Sequence, residues 1–170
     1  MNQLILALSL LAMQMPARPI DWSAKAREAV GQFYAWYVPA SRRAGADMRA
    51  LSDARWHFAP ALKAAMRADR KAAEANPNEI VGLDMDPFLN AQDPCNRYRP
   101  TAVRRAGSDF LVDVKGEGGC AAHRTPDVTV RVAIQSGVPV FVNFEYPAPV
   151  KDDLMRLLGR LAAERTKPKR

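Results

Sequence analysis

The sequence predicts an α+β fold in which N-terminal helices pack on a curved antiparallel sheet of about four strands, followed by a C-terminal helix. Two observations predict this order. Between residues 23 and 76 the apolar residues recur at spacings of three and four, which is typical of amphipathic helices. Between residues 98 and 146 they alternate with polar residues, as in half-buried strands. Separate runs of helices and strands indicate an α+β domain.

Three helices are predicted before the sheet. The first has Ser23 as its cap and ends before Pro39, because the residue preceding a proline is pushed out of helical geometry. The second is predicted at residues 44–54. The third begins at Pro60, where a missing N–H costs nothing, and ends at Asn76. The residues predicted to face inward are Ala26, Val30, Phe33, Tyr37, Met48, Leu51, Leu62, Ala65, Met66 and Ala73.

Four strands and one helix are predicted in the second half of the chain. The strands are expected at residues 98–106, 110–115, 128–135 and 138–146. In the last strand, simple alternation places Val138, Val140, Val142 and Phe144 on one face. Asp152 and Asp153 open the final helix, where a negative charge suits the positive end of the helix dipole. Its predicted inward residues are Leu154, Leu157, Leu158 and Leu161.

Residues 1–17 are predicted to be a signal peptide. The run 4–13 is apolar apart from Ser9, which is too short for a bilayer span of about 20 residues. It has the length of a signal-peptide core, with Ala17 as the last leader residue. The alternative is an apolar N-terminal strand or helix. A single α+β domain at residues 18–162 would then be periplasmic or secreted.

The formal net charge is +7, and residues 163–170 form a predicted basic tail. Such a tail favours weak contact with anionic surfaces, although basic chain ends are often only solvated. Binding to nucleic acid is not predicted, because positive charges alternate with Asp and Glu along the helices and export removes the target.

The two cysteines, Cys95 and Cys120, lie in turn-like segments and are predicted to form a disulfide. Closing a loop of 25 positions would contribute about 3–4 kcal/mol to stability. Two alternatives stay open. One is a reactive Cys120 thiol partnered by His123. The other is a zinc site, for which no C-x-x-C or H-x-x-x-H spacing is present. No metal or cofactor is predicted.

Three segments resemble a family of small bacterial envelope proteins catalogued as domain of unknown function 3828. They are Phe-Tyr-Ala-Trp-Tyr-Val-Pro at residues 33–39, Leu-Asp-Met-Asp-Pro-Phe followed by Asn-Ala-Gln-Asp within residues 83–93, and Val-Phe-Val-Asn-Phe-Glu-Tyr at residues 140–146. The resemblance implies a cone-like fold of the nuclear-transport-factor-2-like or cystatin-like type and a location in the envelope. It implies no activity. Members of the family often have Trp where this chain has Val140-Phe141.

A curved sheet covered by helices often leaves a pocket, which is the default place to look for a ligand. The candidate pocket residues are Trp36, Tyr37, Asp84, Asp86, Asp93 and Tyr98. Clustered carboxylates can hold a cation, or one can be kept protonated as an acid. Alternatively, the aspartates are turn residues that cap local N–H groups, and the aromatic residues belong to the core. His57 is expected to be a buried or half-buried packing residue.

No sequence motif names a reaction: the chain has no G-x-S-x-G, P-loop or dinucleotide fingerprint. The predicted function is therefore an envelope protein that binds a partner protein or a small ligand without catalysing a reaction. The alternative is a small hydrolase or isomerase that uses the pocket carboxylates, with Tyr98 as a donor, by analogy with other proteins of this fold.

Overall fold

The computed structural model describes residues 20–76, 81–120, 125–147 and 151–166. The predicted signal peptide, His123 and tail residues 167–170 lie outside these ranges. The described chain confirms the α+β fold. Its elements are α1 (Trp22–Ser41), α2 (Ala46–Ser52), α3 (Pro60–Ala75), β1 (Arg97–Ala106), β2 (Asp109–Glu117), β3 (Val128–Gln135), β4 (Val138–Tyr146), β5 (Asp152–Asp153) and α4 (Leu154–Arg165).

The sheet is an antiparallel meander in the order β1-β2-β3-β4-β5, with each strand paired to the next along the chain. The four predicted strands are present. The fifth is a two-residue strand at Asp152–Asp153, where the start of the last helix was predicted. Asp153 nevertheless caps α4, because its side chain accepts a hydrogen bond of 2.9 Å from the N–H of Arg156.

Both predicted ends of α1 differ from the observed ones. The N-terminal cap is Asp21 rather than Ser23, because an Asp21 carboxylate oxygen accepts the N–H groups of Ser23 and Ala24 at 3.0 and 3.1 Å. Pro39 lies inside the helix, which continues to Ser41. A proline this close to the end disturbs only the last turn, where the Ser41 hydroxyl donates to the carbonyl of Val38 at 2.9 Å.

The core is built around Phe33, a fully buried residue of α1. Eight other aromatic rings have centroids within 6.4 Å of its ring centroid. Several meet it edge to face, the geometry that aromatic quadrupoles favour. These rings are Tyr34, Trp36, Tyr37, Trp56, Phe58, Phe88, Phe141 and Phe144.

A bulge changes the inward face of β4. Arg131 pairs with Asn143, whereas the next residue of β3, Val132, pairs with Phe141, so Val142 is an extra residue. Phe141 and Phe144 therefore both face the core. The prediction that Val138, Val140, Val142 and Phe144 share one face is wrong, because simple alternation cannot include an inserted residue.

The predicted disulfide is present. Cys95, just before β1, is bonded to Cys120, just after β2, with a distance of 5.0 Å between their Cα atoms. The bond uses both sulfur atoms, so the alternatives of a free Cys120 thiol and of a zinc site with cysteine ligands do not hold for this structure.

Candidate functional site

A pocket of about 230 Å³ opens between the C-terminal end of α1, helices α2 and α3, and residues 83–87. Its volume is below the usual range for drug-sized ligands, so it suits a small one. The lining residues that matter for its chemistry are Tyr37, Asp47, Met66, Asp69, Arg70 and Asp86.

Three hydrogen bonds hold the carboxylate of Asp86 in place. Its Oδ2 accepts the hydroxyl of Tyr37 at 2.8 Å, across 49 positions of sequence. Its Oδ1 accepts the N–H groups of Phe88 and Leu89 at 2.9 and 3.1 Å, which closes a tight turn. Because Tyr37 is fully buried, this contact fixes the carboxylate against the core while Asp86 still lines the pocket.

Burial raises the pKa of Asp86 to about 6, and the nearby Asp47 carboxylate also raises it. The hydrogen bonds from Tyr37, Phe88 and Leu89 act in the opposite direction. Burial likewise raises the pKa of Tyr37, so this residue is a neutral donor at every physiological pH. Asp86 is therefore mostly ionised at pH 7 but takes up a proton in mildly acidic conditions.

One wall of the pocket is held together by Asp69, a buried residue of α3. Its carboxylate forms an ion pair with Arg165 of α4 and accepts the N–H of Leu83 at 3.1 Å. Arg165 also donates to the carbonyl of Val81 at 2.7 Å. Gly82 permits this close approach, since a Cβ there would lie 3.0 Å from a carboxylate oxygen of Asp69.

The charges of the other lining residues are unequally compensated. Arg165 compensates Asp69, and Arg70 is paired with Glu74 at 2.9 Å. Within the described part of the chain, neither Asp47 nor Asp86 forms an ion pair with a cationic side chain. Arg43 also lines the pocket and forms no ion pair within the described residues. The unpaired lining charges of Asp47, Asp86 and Arg43 therefore sum to one negative charge.

Two of the six predicted pocket residues, Tyr37 and Asp86, line this pocket together. Asp84 is exposed and lines a shallower depression beside it. Asp93 is exposed and lines neither. Chain proximity alone grouped these aspartates, and the turn at residues 86–91 directs only Asp86 toward the helices.

The remaining predicted residues lie elsewhere. Tyr98 is buried against Tyr34, with ring centroids 5.8 Å apart, and belongs to the core. Trp36 is half-buried beneath Arg55, whose guanidinium carbon is 5.1 Å from its ring centroid. His57 is exposed, contrary to the expectation of a packing residue, because only its backbone carbonyl is engaged by β4.

Sequence reasoning missed Asp47, Asp69 and Arg70. Asp69 did carry a signal, because it stands on the apolar face of α3 between Met66 and Ala73, where a carboxylate needs a buried partner. Asp47 and Arg70 carried none, since charged residues on short or exposed helix faces are ordinary.

Comparisons of the chain with known protein families, with curated proteins and with solved structures find no match. The resemblance to domain of unknown function 3828 therefore stays a prediction from the three motifs. The function has to be argued from the geometry of the site itself.

Proposed function

We propose that this chain is an exported protein of the bacterial cell envelope whose pocket binds a small organic cation without transforming it. The observation that carries the proposal is the pair of lining carboxylates, Asp47 and Asp86, with no described cation bound to either. An anionic pocket of this size selects a small ligand with one positive group.

A bound cation would relieve two electrostatic costs at once. Burial disfavours the charged form of Asp86, and the Asp47 carboxylate adds like-charge repulsion. A ligand ammonium would offset the one negative charge that Arg43 leaves uncompensated, and it would donate hydrogen bonds to the carboxylate oxygens. Arg43 and Arg70, which also line the pocket, disfavour a second positive group on the same ligand.

The other walls suit the carbon skeleton of an amine. Met66, Leu83 and Met85 line the pocket with apolar side chains. Methionine side chains adapt to irregular ligand shapes and are polarisable.

Export is supported by the signal-peptide pattern of residues 1–17 and by the disulfide, which is typical of oxidising compartments. Within the described ranges, no helix is both long enough and apolar enough to cross a membrane. The family resemblance also supports an envelope location.

The test is calorimetric titration at pH 7.5 with ethanolamine, butylamine and putrescine, using butanol and butane-1,4-diol as uncharged controls. We expect a monoamine to bind and its uncharged analogue not to bind. The variants D47N and D86N should each weaken binding about 10-fold or more, whereas D84N, a matched change at an exposed aspartate, should not. Equal binding of amines and alcohols, or equal losses in D84N and D86N, would contradict the proposal.

A second candidate function, acid–base catalysis, is favoured by the pKa of about 6 at Asp86 beside the hydroxyl of Tyr37. It is the weaker candidate, because both carboxylate oxygens already accept hydrogen bonds and Tyr98 lies in the core. Hydrolysis of a small ester panel that is lost in D86N and Y37F but kept in D84N would establish it.

A further inference from the structure

We propose that the flank formed by α1, β1 and the adjoining end of β2 binds the surface of anionic phospholipid bilayers. This surface, called here the arginine flank, consists of Arg27, Arg42, Arg97, Arg99 and Lys115. It shares no residue with the pocket lining or with the basic C-terminal tail, and it does not depend on the proposed ligand.

The flank wraps around the edge of the sheet. Tyr98 of β1 packs against Tyr34 of α1, so alternation directs Arg97 and Arg99 to the opposite face of the strand. The arginines of α1, which runs antiparallel to the start of β1, reach the same edge from the helix side. Arg27 donates to the carbonyl of Pro100 at 3.3 Å, and Arg42 donates to the side chain of Asn96 at 3.4 Å. The two helical arginines are about 22 Å apart along the axis, given a rise of about 1.5 Å per residue. They therefore contact the start of β1, from Asn96 just before the strand to Pro100.

The flank carries a local excess of positive charge. Arg97 and Arg99 share a single carboxylate, Glu117, and their side chains are 73% and 65% exposed. Arg99 is also paired directly opposite Lys115 in the sheet. Like charges in that position are destabilising. The five cations and one carboxylate leave an excess of four positive charges.

Neighbouring carboxylates do not remove this excess. Asp113 forms an ion pair of 2.7 Å with Arg104, a residue that is not part of the arginine flank, so its charge is already compensated there. Asp127 accepts the N–H of Gly116 at 2.8 Å and is committed to that loop. External anions would offset the repulsion between the arginines that the fold leaves in place.

The partner must be bound by side chains rather than by the strand's backbone. β1 is the end strand of the sheet, but Pro100 has no N–H to donate and the register shifts between Pro100 and Ala102. Both features interrupt pairing with an added peptide strand. Guanidinium groups, in contrast, recognise phosphate through paired hydrogen bonds.

Apolar side chains at one end of the arginine flank favour a bilayer, rather than an acidic protein surface, as the partner. Ile20, just before α1, is 59% exposed, and the half-buried Trp22 follows it beside Arg104 and Arg105. Tryptophan and basic residues at one edge are typical of surfaces that sit in the headgroup region. The flank thus combines a row of arginines with an apolar contact at one end.

The test is vesicle sedimentation with a chain that begins at Arg18, since the apolar run 4–13 would itself enter a bilayer. We expect binding to phosphatidylcholine vesicles that contain phosphatidylglycerol, loss of binding in high salt, and none to pure phosphatidylcholine. R97Q/R99Q should lower the partition coefficient about 30-fold, as about two surface cations are removed.

The matched control is R67Q/K71Q, which removes two exposed cations from α3 and lowers the net charge equally. It should keep the partition coefficient within about 2-fold, and both variants should still unfold cooperatively. Equal losses of vesicle binding in the two variants would show that only the net charge of the chain matters. Loss on deletion of residues 167–170 alone would assign binding to the tail. Binding to poly-glutamate but not to the anionic vesicles would indicate an acidic polypeptide. Each of these three results overturns the proposal.

Discussion

The half-buried carboxylate of Asp86 should make the folded chain less stable as the pH rises from 4 to 6. Its pKa is about 6 in the folded state against an ordinary value of 3.8. That difference corresponds to about 3 kcal/mol of free energy. Between the two values the folded chain holds the proton more tightly than the unfolded chain does. The contribution of Asp86 is therefore most favourable below pH 4, declines between pH 4 and 6, and is constant above that range.

Other carboxylates act in the opposite direction and must be separated from this effect. The Arg55 side chain lowers the pKa of Asp53 to about 2, and hydrogen bonds from arginines lower the pKa of Glu117 despite some burial. Their stabilisation is present above their ordinary pKa values and is lost as the pH falls. The pH profile of the wild type alone is thus a sum of opposing contributions.

The assay is urea unfolding of the wild type, D86N and D84N between pH 3.5 and 7.5. In D86N the amide oxygen can still accept the N–H groups of Phe88 and Leu89, but the titrating charge is gone. The stability of the wild type relative to D86N should fall by about 2.5 kcal/mol from pH 4 to pH 7, because the unfolded carboxyl is already partly ionised at pH 4. Relative to the exposed-site variant D84N it should stay level. A level difference for D86N would refute the reasoning, since burial would then cost the carboxylate nothing.

Three further predictions follow from single contacts. Reducing the disulfide should lower the free energy of unfolding by about 3.5 kcal/mol for its 25-position loop, seen as a lower urea midpoint in dithiothreitol; free thiols with an unchanged midpoint would contradict this. Gly116→Ala should cost about 1–3 kcal/mol, because the added Cβ would overlap the sulfur atom of Cys95. Gly159→Ala, at an exposed position of α4 with no neighbour within 4 Å, should instead stabilise the fold by up to about 1 kcal/mol. A higher melting temperature for Gly116→Ala than for Gly159→Ala would refute the contact. Arg165→Ala should cost about 3 kcal/mol at pH 7 by leaving the buried Asp69 unpaired, against under about 1 kcal/mol for Lys25→Ala at the exposed pair with Glu28, and similar urea midpoints would count against it.

Local pattern was enough to predict most of the fold. The alternation of Val128, Val130 and Val132 encodes one buried face of β3, and all three are fully buried. The spacing of Ala26, Val30, Phe33 and Tyr37 encodes the buried face of α1 in the same way. Such periodicity is a property of neighbouring residues, so it can be seen without knowing the partners. The cysteine pair was predictable for a different reason, because two cysteines allow only one intrachain bond.

Features that depend on pairing between distant segments were not predictable. The bulge at Val142 arises from the match between β3 and β4, and it turns Phe141 inward against the simple alternation. The helix cap is a local feature, but it was not predictable either. Asp21 and Ser23 are both residue types that cap helices, and the backbone angles decide which of them does so.

The same distinction between local pattern and contacts across the fold applies to the candidate site. The sequence by itself determined that Tyr37 is on a buried helical face, and it left open whether Asp86 is a turn residue or a pocket carboxylate. Only the tertiary structure decided that these two groups meet across 49 positions, that Asp47 joins them, and that Asp84, Asp93, Trp36 and Tyr98 stay outside the pocket. The physical reason is that periodicity determines which side of an element a residue occupies. Burial, charge compensation and the pKa of Asp86 arise instead from groups that only folding brings within a few ångströms of one another.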